Sequence, residues 1–205
     1  MHGPTLASVC AVSLTREVTY DVDGLTMVAH LALPAGEGPW PAVLIGHDGV
    51  GLEDYQRSRA DDLATQGYVA LAMDYHGGEV FFGRPEAMLA RVMPLLADAE
   101  RMHAIGRAAL NALLAVPGVD PDRLAALGYG AGGRIVLELA RAGVPFQAVA
   151  LVHPALPDIT VEDWTNLTGA YLLGTGSEDP LCSPDQLMTF SRALQSAGVD
   201  WRVTV

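Results

Sequence analysis

The chain has 205 residues, of which 50% are hydrophobic and 18% charged, and this composition excludes an intrinsically disordered protein. Its 24 acidic and 12 basic residues give a net charge of −12, so a phosphate backbone would be repelled and no nucleic-acid partner is expected. All basic residues are arginine, which excludes a P-loop lysine and lysine Schiff-base chemistry.

The cysteines and the N-terminus indicate a cytoplasmic protein. Cys10 and Cys182 lie too far apart in sequence for a disulfide framework or a metal-binding spacing. No apolar run reaches the roughly 18–20 residues of a membrane span. A signal peptide carries lysine or arginine before its apolar region, and neither residue precedes the short apolar stretch at this N-terminus. We expect an N-terminal tail over residues 1–14, one domain over residues 15–205, and no membrane association.

Strands and helices are predicted to alternate along the chain. Residues 15–22 and 25–33 alternate in polarity around Gly24 and predict a hairpin. Short apolar runs typical of buried parallel strands occur at residues 41–46, 68–73, 123–128, 148–152, 170–173 and 201–205. Helices are predicted over residues 54–66, 85–115 (as two helices broken near Pro94 or Asp98), 133–141 and 184–197. This order predicts an α/β fold, a mostly parallel sheet with helices on both faces.

Ligands of such sheets bind where loops follow the carboxyl ends of the strands. His47 and Asp48 follow the third predicted strand, and Asp74 and His76 follow the fourth, so we expect all four to line a pocket. Two imidazoles and two carboxylates could also bind a divalent metal, although such side chains more often hydrogen-bond to the backbone. We predict neither a metal nor a cofactor.

The glycine-rich segment GYGAGG, residues 128–133, has three interpretations. Its glycines satisfy the G-x-G-x-x-G dinucleotide fingerprint. The segment about 20 positions later, VHPAL, lacks the acidic residue that such a site requires there. The segment also fits a nucleophile elbow, in which flanking glycines allow a strained strand-to-helix turn to expose the middle residue, here Gly130. The third interpretation is a tight turn without chemistry. Asp179 follows a later strand, as the acid of an elbow enzyme does, and favours the elbow.

Five segments together resemble the dienelactone hydrolase branch of the α/β-hydrolase fold. They are DVDGLTMVAHLALP, PAVLIGHDGVGL, QGYVALAMDYHG, LGYGAGG and GTGSEDPLCSPDQL. The resemblance covers residues 15–205. It implies hydrolysis of small carboxyl esters or lactones by a triad of Cys (or Ser), His and Asp.

The resemblance also implies roles for individual residues. Asp179 matches the triad acid, and the backbone N–H groups of Ala131 and Gly49 match the donors that stabilise an oxyanion. Asp48 stands where the family usually has glutamate beside the nucleophile. Tyr129 precedes the nucleophile position and is counted with the pocket residues.

The chain departs from the family pattern at two triad positions. Gly130 occupies the nucleophile position and has no side chain that could attack a carbonyl. No histidine follows Asp179, and the last histidine is His153. We expect a C-terminally truncated domain that lacks its closing helix and exposes apolar sheet surface. Cys182 is expected to be a loop thiol.

Three functions follow from these observations. The first is a hydrolase of small esters or lactones that is inactive by the covalent route. The second is a non-catalytic member of the fold that binds an ester, lactone or carboxylate. The third is a dinucleotide-binding or metal-dependent enzyme. The sequence does not indicate the oligomeric state.

Overall fold

The sheet follows the predicted α/β pattern. The computed structural model describes residues 14–158 and 160–205. Its eight strands are β1 (Leu14–Val22), β2 (Leu25–Leu33), β3 (Trp40–Gly46), β4 (Val69–Met73), β5 (Val119–Tyr129), β6 (Ala148–Val152), β7 (Ala170–Gly174) and β8 (Asp200–Thr204). They form one sheet in the order β1-β2-β4-β3-β5-β6-β7-β8. The β1–β2 and β2–β4 pairs are antiparallel, and the remaining pairs are parallel.

Five α-helices connect these strands. They are α1 (Asp54–Thr65), α2 (Pro85–Leu96), α3 (Ala99–Leu114), α4 (Gly130–Arg141) and α5 (Pro184–Ala197), and a short 3₁₀ helix spans Val161–Trp164. The break in the long helical region lies at Asp98, whose Oδ1 accepts a hydrogen bond from the Arg101 N–H (2.9 Å) and caps α3. Pro94 lies inside α2 and does not end it.

Several predicted boundaries were wrong, among them the start of β5, which lies at Val119 and not at residue 123. Helix α4 begins at Gly130, three residues before the predicted start, because a run of glycines carries no apolar periodicity that would reveal a helix. Leu14 belongs to β1, although it was predicted to end the N-terminal tail. Cys10 and the other residues of that tail lie outside the described part of the chain.

The helices cover the two faces of the sheet unequally. Helix α1 packs on β2, β3 and β4 through Ala60 and Ala64, in a cluster with Val43 and Ile45. Helices α3, α4 and α5 pack on the opposite face in a larger cluster. The prediction of an α/β fold with helices on both faces is confirmed. No helix in the described residues is long and apolar enough to cross a membrane.

The face that carries α1 is open beyond β5. Alternate residues of β6 and β7 are accessible there, with Val152 39% and Leu172 52% exposed. These strands, Leu63 of α1 and Leu127 of β5 line an open depression of about 530 Å³. The expectation of exposed apolar sheet surface is therefore confirmed.

Candidate active site

The turn from β5 into α4 has the geometry of an elbow. Gly128 and Tyr129 end the strand, and Gly130 begins the helix with a φ of +49°. A positive φ of this kind is costly for residues with a side chain and is found at strained functional turns. Gly130 therefore lies at the bend, in the conformation that the elbow hypothesis requires.

Close packing explains the surrounding glycines. A Cβ atom on Gly132 would lie 2.2 Å from the His47 carbonyl oxygen, and one on Gly128 would lie 2.4 Å from the Gly133 Cα atom. The Gly132 N–H donates to the His47 carbonyl oxygen at 2.9 Å, which joins the loop after β3 to the first turn of α4. These contacts account for the glycine pattern without a bound dinucleotide, since they require backbone to lie against backbone.

The two predicted oxyanion donors lie in these joined segments. The Asp48 carbonyl oxygen accepts hydrogen bonds from the Tyr75 hydroxyl (2.5 Å) and from His47 Nδ1 (2.5 Å). In a trans peptide the C=O and the following N–H point in opposite directions, so the Gly49 N–H points away from Tyr75 and His47. The Ala131 N–H lies in the first turn of α4, where backbone N–H groups have no intrahelical acceptor.

The four polar residues predicted to line the pocket differ in how deeply they are buried. His47 and Asp74 are 0% exposed and His76 is 2% exposed, whereas Asp48 is half-buried. The His47 ring stacks on Tyr75 with centroids 3.7 Å apart, and its Nε2 atom lies 3.8 Å from Asp74 Oδ1. These buried side chains support the loops after β3 and β4 from beneath.

Asp74 and His76 are fixed by hydrogen bonds to the backbone. The Asp74 carboxylate accepts from the N–H groups of Val28 (2.9 Å), His76 (2.8 Å) and Gly78 (2.6 Å). His76 Nε2 donates to the Gly49 carbonyl oxygen at 3.0 Å. The buried pair therefore helps to set the backbone orientation around Gly49.

We expect the free energy of unfolding to decrease as the pH falls from 7 to 4. Burial, together with repulsion from His47 and Arg91, lowers the pKa of His76 from 6.5 to about 4, against the opposing effects of the Gly49 carbonyl and Asp74. Between these values the unfolded chain binds a proton that the folded chain does not, so the folded state loses roughly 2–3 kcal/mol across this range. Denaturant unfolding measured at several pH values tests this expectation.

The matched variant for that measurement is His76→Gln. Its amide can still donate to the Gly49 carbonyl oxygen, but it does not titrate. Its stability should vary less between pH 7 and 4 than that of the wild type. Equal pH dependence of the two proteins would contradict the assignment to His76.

His153 and Asp48 flank Gly130. A Cβ atom on Gly130 would lie 3.1 Å from His153 Cε1, 3.4 Å from His153 Nδ1 and 3.5 Å from the Asp48 Cβ atom. The Asp48 carboxylate is turned toward its own loop, where Oδ1 accepts from the Val50 N–H at 2.8 Å. The imidazole of His153 therefore lies against the position from which a nucleophile side chain would begin.

Asp179 lies in the loop after β7, as predicted. Its Oδ2 accepts from the Thr175 hydroxyl (2.9 Å), and its Oδ1 accepts from the Leu181 N–H (2.9 Å). The Leu156 N–H donates to the Leu181 carbonyl oxygen at 3.0 Å, so this loop is joined to the loop that follows His153. Both carboxylate oxygens of Asp179 are thus engaged within its own loop.

Comparisons with known proteins identify the family. Residues 27–205 match the model of the dienelactone hydrolase family. The chain belongs to this family. It is 26% identical over 189 residues to a Bradyrhizobium protein named "Probable 2-oxo-3-(5-oxofuran-2-ylidene)propanoate lactonase", covering 87% of this chain and 75% of that protein.

Solved structures agree with this family. The structure named m3DLH has a TM-score of 0.86 and 36% sequence identity, over 94% of this chain and 80% of that one. The dienelactone hydrolase-like promiscuous phosphotriesterase P91 from metagenomic libraries has a TM-score of 0.86 and 30% identity, over 93% of this chain and 80% of that one. The resemblance predicted from the five sequence segments is confirmed.

The side chains of Tyr129 and Cys182 are poorly suited to act as nucleophiles. Burial raises the pKa of the Tyr129 phenol, and the neighbouring Tyr55 raises it further. Tyr129 packs edge-on against Tyr55 at 5.6 Å, within the cluster beneath α1. Burial also raises the pKa of the Cys182 thiol, which is 3% exposed. Both groups are therefore held in their protonated, weakly nucleophilic forms.

The polar side chains of the described loops after β3 and β4 do not form a metal site. In residues 14–158 and 160–205, no group of three or more His, Cys, Asp or Glu side chains is arranged to hold a metal ion. His47, Asp74 and His76 instead engage the backbone and one another, which is the alternative role that the sequence allowed.

Sequence reasoning placed His153 after a strand but assigned it no chemical role. It follows the apolar run of β6 directly, so its place after a strand could be read from the sequence. Its contact with Gly130 depends on a φ of +41° at His153, which no local pattern reveals.

Proposed function

We propose that this chain binds small carboxyl esters or lactones at the elbow and hydrolyses them without a covalent intermediate at residue 130. The observation that carries the proposal is Gly130 at the bend with a φ of +49°, at the start of a helix whose first turn is tied by the Gly132 N–H to the loop that contains Gly49. Membership in the dienelactone hydrolase family and the lactonase name of the Bradyrhizobium relative support this substrate class.

The N–H groups of Gly49 and Ala131 would stabilise the charge that develops on a carbonyl oxygen during hydrolysis. The Ala131 N–H lies at the N-terminus of α4, where the helix dipole favours a negative charge. Donors held in place by the fold need no reorganisation when the oxyanion forms, and each can contribute about 100-fold or more to the rate. Donors survive the loss of a nucleophile because they belong to the backbone.

The electrostatics favour an uncharged ester or lactone over a free carboxylate. Asp48 lies beside the bend, and the chain carries a net charge of −12, so an anionic ligand would be repelled. The same repulsion would favour release of a carboxylate product.

A ligand-binding protein without turnover is the second candidate function. It is favoured by one observation, the absence of any side chain at residue 130, because the N–H donors alone can bind a carbonyl group. The two candidates share a site and differ in whether the bound ester is cleaved.

The proposed function is tested with p-nitrophenyl acetate and dihydrocoumarin as substrates. We expect saturable release of product and no acetylated protein by intact mass during turnover. An acetylated protein would contradict the non-covalent route. Binding of the lactone without cleavage would support the second candidate, and neither binding nor cleavage would reject both.

The oxyanion donor at residue 131 can be removed with Ala131→Pro, because proline lacks an N–H and is accepted in the first turn of a helix. Turnover should decrease by about 100-fold. Glu100→Pro introduces proline at the same position of α3, near Glu138 and Arg141 at the opposite end of α4 from the bend, and should leave turnover unchanged. Circular dichroism of both variants shows whether the fold is retained.

A further inference from the structure

His153 is held in an unusual backbone conformation next to Gly130. It is one of two non-glycine residues with positive φ in the described chain, at +41°. Its N–H donates to the Gly174 carbonyl oxygen at 2.7 Å, which ties the end of β6 to the end of β7. Two residues later the Ala155 N–H donates to the Gly130 carbonyl oxygen at 3.0 Å. These two hydrogen bonds fix the backbone around His153 against the end of β7 and against Gly130.

The imidazole of His153 is placed differently from the other histidines that follow strands. His47 Nδ1 bonds to the Asp48 carbonyl oxygen, and His76 Nε2 bonds to the Gly49 carbonyl oxygen, so both rings serve the backbone beneath the site. His153 is only half-buried, and its Cε1–Nδ1 edge faces Gly130. It is the imidazole directed at the bend itself.

The glycine and the histidine suit each other sterically. Any side chain at residue 130 would begin 3.1 Å from His153 Cε1, closer than ordinary contact, and would adopt a φ that favours glycine. With glycine at the bend, the Cβ position of residue 130 is left without an atom, 3.4 Å from His153 Nδ1 and 3.5 Å from the Asp48 Cβ atom.

We propose that His153 is the general base of this site and activates a water molecule that occupies the place of the absent nucleophile. The inference rests on the proposed function and supplies its chemical step. It concerns His153, which follows β6, and it therefore needs no histidine after β8.

The reaction is balanced with water as the only co-reactant. The water oxygen adds to the carbonyl carbon while Nδ1 of His153 takes its proton, and the N–H groups of Gly49 and Ala131 hold the resulting oxyanion. The oxyanion then collapses, the acyl C–O bond breaks, and the proton on His153 passes to the departing oxygen. An ester yields an acid and an alcohol, a lactone yields a hydroxy acid, and the imidazole returns to its neutral form.

Asp48 would assist the protonated state of His153. The Asp48 Cβ atom and the His153 ring both lie within 3.5 Å of one point, the Cβ position of residue 130. The Asp48 carboxylate accepts from the Val50 N–H in its own loop, and its negative charge near the bend would favour a forming imidazolium. This gives Asp48 a role that does not depend on a side chain at residue 130.

The test uses two variants of the full chain with p-nitrophenyl acetate as substrate. His153→Asn removes the base and keeps a residue type that tolerates positive φ, and we expect kcat to decrease by about 100-fold or more with KM little changed. His153→Gly leaves a cavity at the same position and accepts the backbone conformation without strain. Added imidazole should restore much of the turnover of His153→Gly.

His30→Asn is the matched control. His30 is also partly buried, and its Nε2 atom lies 2.7 Å from Asp61 Oδ1, on the part of β2 that faces α1. It should retain wild-type turnover, with or without imidazole.

The outcomes for the His153 variants separate this proposal from the proposed function. Wild-type turnover that is unchanged in His153→Asn would keep the proposed function and overturn the role of His153. A decrease that imidazole does not restore in His153→Gly would indicate a structural role and overturn it as well. A burst of p-nitrophenol equal to the enzyme concentration would show an acyl-enzyme and overturn the water mechanism. A wild-type chain without any turnover would reject both proposals together.

Discussion

Gly132→Ala is expected to destabilise the fold by about 4 kcal/mol or more, a large share of the 5–15 kcal/mol that stabilises a typical domain. The new methyl group would lie 2.2 Å from the His47 carbonyl oxygen and 2.3 Å from the Gly46 carbonyl carbon. Both are backbone atoms of the central strand β3 and its loop, so neither can rotate away as a side chain could. The hydrogen bond from the Gly132 N–H to His47 would also be lost as the segments separate.

Helix propensity alone predicts that Gly132→Ala would stabilise the fold. Gly132 lies inside α4, and replacing glycine by alanine in a helix is ordinarily favourable by roughly 1 kcal/mol. The result therefore decides whether close packing or propensity dominates at the elbow. Denaturant unfolding and the soluble yield of the variant measure it.

Gly174→Ala provides the matched control at the end of a neighbouring strand. Nothing lies within 4 Å of its added Cβ atom, so we expect a change of no more than about 0.5 kcal/mol. A Gly132→Ala protein as stable as Gly174→Ala would contradict the packing of α4 against β3.

The sheet and the elbow could be predicted because their signals are local. Apolar runs of four to six residues mark the parallel strands, and the segments around GYGAGG and GTGSEDP carry the family resemblance. The glycines themselves were informative, since a Cβ atom on residue 128 or 132 would overlap backbone atoms, and one on residue 133 would lie 3.0 Å from the Pro154 Cβ atom.

The burial of the polar loop residues could not be predicted in the same way. The sequence places His47 and His76 after strands, but their burial depends on Tyr75, whose ring lies between the two loops. Its hydroxyl donates to the carbonyl oxygens of His47 and Asp48. Such a network joins residues about 27 positions apart, and its geometry exists only once β3 and β4 are paired.

The contact between His153 and Gly130 could not be predicted from the sequence for a related reason. It requires the two neighbouring strand ends, the hydrogen bond to Gly174 and a positive φ at a residue type in which that conformation is uncommon. The resemblance also directed attention to a histidine after the last strand. A search for a triad in family order therefore passes over an imidazole that lies after β6.

The second large effect is expected at Asp74. Its Oδ2 accepts two backbone N–H groups, those of Val28 and Gly78, and its Oδ1 accepts that of His76. In Asp74→Asn at least one of these buried N–H groups would face an amide N–H₂ instead of an oxygen. An unsatisfied buried donor and the loss of the charged acceptor together should cost about 3 kcal/mol.

The cost of Asp74→Asn should depend on pH in a defined direction. Burial alone would raise the pKa of Asp74, but the nearby His47 imidazole and the hydrogen bonds from the Val28 and His76 N–H groups outweigh it and lower the pKa from 3.8 to about 2. A carboxylate whose pKa is lowered by folding stabilises the fold above the unfolded value, near 4, and loses that contribution as the pH falls through 2. The difference between wild type and variant should therefore shrink by roughly 2 kcal/mol between pH 5 and 2.

That difference is best measured in a His76→Gln background, so that the imidazole does not titrate over the same range. Asp21→Asn is the matched control, because Asp21 is exposed and accepts a side-chain hydrogen bond from Thr26 alone. It should change the free energy of unfolding by no more than about 0.5 kcal/mol at any of these pH values. If the decrease in the free energy of unfolding caused by Asp74→Asn stayed constant from pH 5 to 2, the carboxylate would not be stabilised by folding. The hydrogen bonds from Val28, His76 and Gly78 would then not account for the position of the Gly49 loop.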